Sequence, residues 1–254
     1  MSQESKRSAR DQLADQRRRD ADAAKRKQRT LNIVIAVVVV AVVVGIFVAV
    51  QASRNAAPAD AALPSGVSKA GAGAEFGTGP VTVDLWEDFQ CPACKAFEGV
   101  NSASLDQRVS ANDITLVIHP LSFLDQNNSN TSSIRAAAAF GCAVDAGKAL
   151  EFHNKLYAVQ PAENPGHEAW TTDQLVGYGN EVGITGDTWT TCVTSMKYEG
   201  WAKQVAASQT TAGINSTPTV FVNGQRAWTT SAEGTPFFQS PDALNALIDQ
   251  AAKG

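Results

Sequence analysis

Cysteine and histidine are scarce in this chain, four and three in 254 residues, and that scarcity excludes most metal-centred readings. A structural zinc site takes four ligands, usually from two C-x-x-C pairs or from one pair with added histidines. Here a single C-x-x-C, Cys91-Pro92-Ala93-Cys94, stands with two lone cysteines, Cys142 and Cys192, so neither a metal nor a cofactor is expected. Charge is absent from Ile33 to Val50 (IVIAVVVVAVVVGIFVAV), eighteen residues of which fourteen are Val, Ile or Phe. Large apolar residues are few from Gln51 to Glu75, where Ala, Gly, Pro and Ser dominate. No internal repeat is visible.

Each of these gaps has a neighbour that explains it. Residues 1–30 carry ten Lys/Arg against five Asp/Glu, which leaves eleven against twenty for the rest of the chain. A basic head therefore precedes the uncharged run and an acidic body follows it. The run has about the length a hydrocarbon core demands of one helix. Basic residues before it place the N-terminus in the cytoplasm and the acidic body outside. We expect a cytoplasmic segment at 1–30, a transmembrane helix at 31–50, a flexible linker at 51–75 and a folded domain at 76–254. A cleaved signal peptide is the alternative, with Val50-Gln51-Ala52 as a small-x-small site, but the apolar run exceeds the usual h-region. The basic cluster Lys25–Arg29 is taken as a topology signal, and no nucleic-acid partner is expected.

Within the folded part, Val81, Val83, Leu85, Trp86 and Phe89 form an apolar, β-favouring run that leads into Cys91. Pro92 is suited to the first helical position, because its ring presets φ and its missing N–H would have had no partner there. A helix from Ala93 to about Val100 is expected. Cysteines three apart lie on one helix face and can form a disulfide. The unpaired N–H groups and dipole of a helix start favour an anion, so Cys91 is the expected nucleophile and Cys94 the buried resolving thiol. An inert structural bridge and half of a zinc site are the bland alternatives.

Further on, Ile114–His119 (ITLVIH) reads as a second strand, with His119 as a half-exposed strand-end residue. Helical spacing follows over 132–146, 148–159, 172–182 and 187–207, inside a region at about 129–212. Val220–Val222, the Asn223-Gly224 turn and a short return strand form a hairpin. Ser240-Pro241-Asp242 opens a last amphipathic helix carrying Ala243, Leu244, Leu247 and Ile248 on one face.

A strand running into CPAC, a helical insertion, then TPTVFVNG and a closing helix resembles the thioredoxin fold in its DsbA-like version, over about Val81 to Ala252. The membrane-tethered actinobacterial thiol oxidoreductases of that group are similar. The resemblance implies an α/β fold with an inserted helical domain and an active-site loop of Pro92, Ala93, Thr217 and Pro218. It also implies a cis bond before Pro218 and a quinone-linked membrane oxidase, similar to vitamin K epoxide reductase, as reoxidant. Such proteins often carry an acid six residues before the first cysteine, whereas Leu85 stands here, leaving Asp84, Glu87 and Asp88 as candidates.

Four cysteines allow three connectivities, and with Cys91 and Cys94 paired, Cys142 and Cys192 are expected to join each other as a structural disulfide. Two separate buried thiols are the alternative; the resemblance favours the bridge. The expected function is disulfide formation on reduced, unfolded secreted proteins outside the cell membrane. A reductase, or a non-catalytic chaperone or scaffold, is the alternative. An isomerase is disfavoured because the linker offers no dimerisation segment.

Overall fold

Val81, Val83 and Leu85, at most 1% exposed, lie in the middle strand of the sheet, and the rest of the fold is laid on either side of them. The computed structural model describes residues 41, 42, 44, 45, 58, 60–67, 69, 71–227 and 240–253. The strands are β1 (Ala74–Phe76), β2 (Val81–Asp88), β3 (Ile114–Leu121), β4 (Thr219–Val222) and β5 (Gln225–Ala227). The helices are α1 (Pro92–Ser110), α2 (Leu124–Asn128), α3 (Ser132–Asp145), α4 (Ala149–Ala158), α5 (Thr172–Glu181), α6 (Asp187–Thr194), α7 (Glu199–Ser208) and α8 (Asp242–Ala251).

The sheet runs in the order β1-β3-β2-β4-β5. Strands β2 and β3 are parallel, with Val81 opposite Ile114 and Asp88 opposite Leu121, and α1 is the crossover between them. The β2 partner on its other side, β4, is antiparallel, so β2 has a hydrogen-bonded neighbour on both edges. The β4–β5 hairpin turns at Asn223 and Gly224, both with positive φ, as a two-residue Asn-Gly loop requires. Helix α8 contributes Leu244 and Ile248, each 1% exposed, to the core.

Helices α2 to α7 lie between β3 and β4 as one helical insertion, close to the expected region and starting a few residues earlier. Its centre is α3, whose Ala136 to Ala139 are buried and which can therefore approach its neighbours closely. At Gly141 a Cβ would lie 2.8 Å from Tyr198 Cβ, so the glycine is what allows α3 and the start of α7 to touch. A disulfide joins Cys142 on α3 to Cys192 on α6.

Several expectations are corrected. The helix after CPAC runs to Ser110, since Phe97, Asn101 and Leu105 continue one buried stripe well past Val100. The single helix expected over 187–207 is two, broken at Met196, which adopts a left-handed φ of 54°. No glycine or proline signals this break; the Cys142 bridge on one side and the Tyr198 hydroxyl bond to Asp145 on the other pin the chain across it.

The flexible linker expected at 51–75 is corrected over its described residues. The unit from Ala57 to Gly254 includes residues 58, 60–67, 69 and 71–73, of which Pro58, Gly71 and Ala72 bond to side chains of α7, and Ala74–Phe76, which form β1 against β3. Val67 is 8% exposed and Leu63 packs on the core. Trp201 Nε1 donates to the Ala72 carbonyl at 2.9 Å, and the Ser65 N–H and hydroxyl both donate to Asp145 Oδ1 at 2.9 Å. Small, polar residues read as tether in isolation, but partners well over a hundred residues away in the case of Trp201 and Gln204 order them.

His119 is corrected as well. It is 7% exposed inside β3, stacked on Trp86 at 3.9 Å and bonded through Nε2 to Asp84 Oδ1 at 3.0 Å. The other unit, Met1–Ala56, contains the basic segment and the expected span, both almost wholly outside the described residues. Ala41, Val42, Val44 and Gly45 are helical. Among the described residues no helix is long and apolar enough to cross a membrane.

Candidate functional site

Cys91 is the N-cap of α1, with φ −76° and ψ 119°, and Pro92 is the first helical residue. The loop before it is tied down from the insertion. Asp88 accepts from the N–H of Gln90 at 2.9 Å, from the N–H of Leu124 at 3.0 Å and from the Ser133 hydroxyl at 2.5 Å. Gln90 Nε2 donates to Asp125 Oδ1 at 2.9 Å and to Ser133 Oγ at 2.8 Å. From α4's end, Gln160 Nε2 donates to the carbonyls of Phe89 and Cys91 at 2.6 and 3.1 Å. The thiols thus sit in a frame whose bonds come from three separate parts of the chain.

The bond between Thr217 and Pro218 is cis, and Pro218 sits immediately before β4. Cys91 Sγ lies 3.6 Å from the Thr217 carbonyl oxygen. The structure therefore brings together Cys91, Pro92, Ala93, Cys94, Thr217 and Pro218. It holds Cys142 and Cys192 apart from them in the insertion, joined to each other.

Cys91 and Cys94 are both free thiols in this structure, and they differ in environment. Cys91 is 7% exposed and Cys94 not at all. The hydrogen bond from the Cys94 thiol is the largest influence on Cys91, lowering its pKa from 9.0 to about 6. Burial opposes this, while Thr217 and the helix-start N–H groups of Cys94 and Ala93 add to it. Cys94 moves the other way, raised by burial first and then by donating its proton to Cys91. The pair is one acidic sulfur on a residue 7% exposed, backed by one protonated sulfur on a residue with no exposure. The helix start, which the sequence suggested as the cause, is a smaller contributor than the neighbouring thiol.

Of the three acids left open near the cysteines, the structure separates the roles. Asp84 is bonded to His119, and Asp88 holds the loop, with burial raising its pKa to about 7 despite three hydrogen bonds. Glu87 is 2% exposed, and its charge is felt by both Cys91 and Cys94. Burial above all raises its pKa, so it can carry a proton next to the sulfurs.

Glu87 belongs to a buried cluster that sequence reading did not anticipate. His153 Nε2 lies 2.9 Å from Glu87 Oε2, and His153 Nδ1 lies 3.9 Å from Glu98 Oε2. Donor atoms of these three residues fall within 4.8 Å of one another, the one such group among the described residues. Glu87 meets one ring nitrogen and Glu98 faces the other, on different edges of the imidazole, which suits a hydrogen-bonded network better than a chelate. Glu98, four residues after Cys94 on α1, could have been found from helical spacing; His153, on α4, carried no signal.

The sequence matches a family model, Thioredoxin_4, described as "Thioredoxin", over residues 77–250. It is 32% identical over 151 residues to a serine/threonine-protein kinase, PknE, from Mycobacterium tuberculosis. That match covers 56% of this chain and 26% of the kinase, so the chain spans about a quarter of the curated relatives it matches. Among solved structures it is similar to the reduced form of a disulfide bond oxidoreductase, DsbG, from M. tuberculosis, with TM-score 0.58 and 28% identity, over 70% of this chain and 84% of that one. It is also similar to oxidised M. tuberculosis DsbA, with TM-score 0.57 and 27% identity, over 76% and 89%. MdbA of Actinomyces oris, a thiol-disulfide oxidoreductase, shares the fold with TM-score 0.59 at 22% identity, over 77% and 99%.

Proposed function

Because the chain belongs to this thioredoxin family and is DsbA-like within it, we propose that it is a protein thiol-disulfide oxidoreductase acting through Cys91 and Cys94. The observation that carries the proposal is the unequal pair: a slightly exposed Cys91 with a pKa of about 6, backed by a wholly buried, protonated partner. We further propose that it runs as an oxidase. A substrate thiolate attacks Cys91 Sγ of the disulfide form, the Cys91–Cys94 bond breaks, and its electron pair leaves on Cys94, which takes up a proton. A second substrate thiolate then attacks the substrate sulfur of the mixed disulfide and expels Cys91 as thiolate. Two substrate thiols become one disulfide and both active-site cysteines end reduced.

A thiolate that is stable at neutral pH favours the dithiol form, and that makes the disulfide the stronger oxidant. The Thr217 carbonyl beside Cys91 offers an edge on which an extended substrate could lie. We place the domain outside the cell membrane, tethered by residues 31–50, acting on reduced, unfolded secreted proteins. The support is the basic-then-apolar-then-acidic order of the chain and a second bridge of a kind that persists in oxidising compartments. Reoxidation is assigned to a quinone-linked membrane oxidase similar to vitamin K epoxide reductase.

Titration of the purified protein against glutathione tests the direction. A potential near the oxidising end of the range for such proteins, with rapid oxidation of a reduced peptide, supports the oxidase. A potential near thioredoxin's makes it a reductase, and a Cys91–Cys94 bridge that resists reduction leaves only a scaffold.

A further inference from the structure

The exchange reaction has a proton problem that Cys91 and Cys94 cannot solve between them. When Cys94 leaves the disulfide it does so fully buried, where a bare thiolate is costly, and a proton has to reach it without solvent. Glu87 stands next to it and can give that proton once. When the disulfide re-forms, Cys94 gives that proton up again, and at 2% exposure Glu87 exchanges it with buried neighbours rather than with water.

The groups around Glu87 supply a route. Cys94, Glu98 and Asp106 face it or its partners from α1, and His153 and Tyr157 from α4; Cys91 and Asp88 complete the set. From α3 and the turn after β2 the cluster meets the rings of Phe140 and Phe89, 6.0 and 5.7 Å from the His153 ring. His153 is the member with two nitrogens placed between partners: Nε2 on Glu87 at 2.9 Å, Nδ1 toward Glu98 at 3.9 Å and the Asn154 side-chain oxygen at 3.3 Å. Asn154 in turn donates to Asp106 at 2.6 Å, and Asp106 is partly exposed. Burial raises the pKa of both Glu87 and Glu98, and Glu98 donates to Glu87, so the two acids hold protons within one buried network.

Resting on the exchange reading above, we propose that His153, supplied by the helical insertion, is a positioning residue of the reaction that orients Glu87 and restores its proton after Glu87 has protonated Cys94. The balance is closed. The proton leaves Glu87 for the Cys94 sulfur as the Cys91–Cys94 bond breaks. One passes from His153 Nε2 to the Glu87 carboxylate while Glu98, whose pKa burial raises, returns one to Nδ1; when the disulfide re-forms, Cys94 loses its proton and the same transfers run backward. The insertion thereby takes part in the chemistry across a sequence distance of more than fifty residues.

The first measurement uses the unaltered full chain, whose three histidines make ring-nitrogen NMR tractable. The ring nitrogen of His153 that carries the proton is expected to differ between the disulfide and dithiol forms, and the same nitrogen in both overturns the proposal. The second uses His153→Gln, which keeps a hydrogen bond to Glu87 but cannot pass a proton. The rate at which a reduced peptide attacks the disulfide is expected to fall about tenfold, as for one unit of proton affinity at Glu87. Its pH profile should shift, while the Cys91 thiolate titration stays near about 6. An unchanged rate and profile in His153→Gln overturns the proposal and leaves the exchange reading intact; exchange that survives Cys91→Ser overturns the exchange reading itself.

Discussion

Replacing Cys94 by alanine decides what makes the Cys91 sulfur acidic. The Cys94 thiol donates to Cys91 and is the largest influence lowering its pKa to about 6, ahead of the N–H groups of the helix start. A hydrogen bond to a charged group contributes about 1.5–3 kcal/mol, and an S–H is a weak donor, so the low end applies. At about 1.4 kcal/mol per pKa unit, losing that bond should raise the Cys91 midpoint by about one unit, toward 7. The companion variant Cys94→Ser keeps a donor in nearly the same place and should move the midpoint less. The assay is thiolate ultraviolet absorbance, or alkylation rate, against pH in each single-thiol protein. If Cys94→Ala leaves Cys91 at about 6, the neighbouring thiol is not the cause, and the helix start by itself sets the acidity.

Cys91→Ser is expected to abolish peptide oxidation, whereas Cys94→Ser should accumulate mixed disulfides with substrate, seen as adducts by mass spectrometry. Because the Cys91 pKa is lowered from 9.0 to about 6 only in the dithiol form, that form gains stability relative to the disulfide form as pH rises from 6 toward 9 and loses it as pH falls through 6. Allowing for solvent at the mouth of the site, the gain at pH 7 is about 1 kcal/mol, or ~20 mV in reduction potential, checked by denaturant unfolding of both forms. The double variant Cys142→Ser/Cys192→Ser opens a loop of 50 residues and should lose up to about 4 kcal/mol of stability in the same assay with exchange retained. Asp145→Ala removes the acceptor of the Ser65 amide, so hydrogen exchange at Ser65 should speed up while the thiol titration does not move.

What could be read along the chain is what neighbouring residues decide among themselves. A proline at the first helical position, two cysteines one turn apart, and an Asn-Gly pair between β-favouring residues each encode geometry within a few residues, and the CPAC helix start and the β4–β5 hairpin follow from them. The cis Thr217-Pro218 bond was reached through family resemblance, which carries tertiary information indirectly, and the Cys142–Cys192 pair from the cysteine count with that resemblance in support. Only the folded chain decided the rest. Proton affinity depends on burial and on charges brought close by folding, so three acids within five residues of one another, Asp84, Glu87 and Asp88, take three different roles. The same reason put His153 beside Glu87 from 66 residues away, tied Pro58 and Ala72 to α7, and broke a helix at Met196 where no local residue asks for a break.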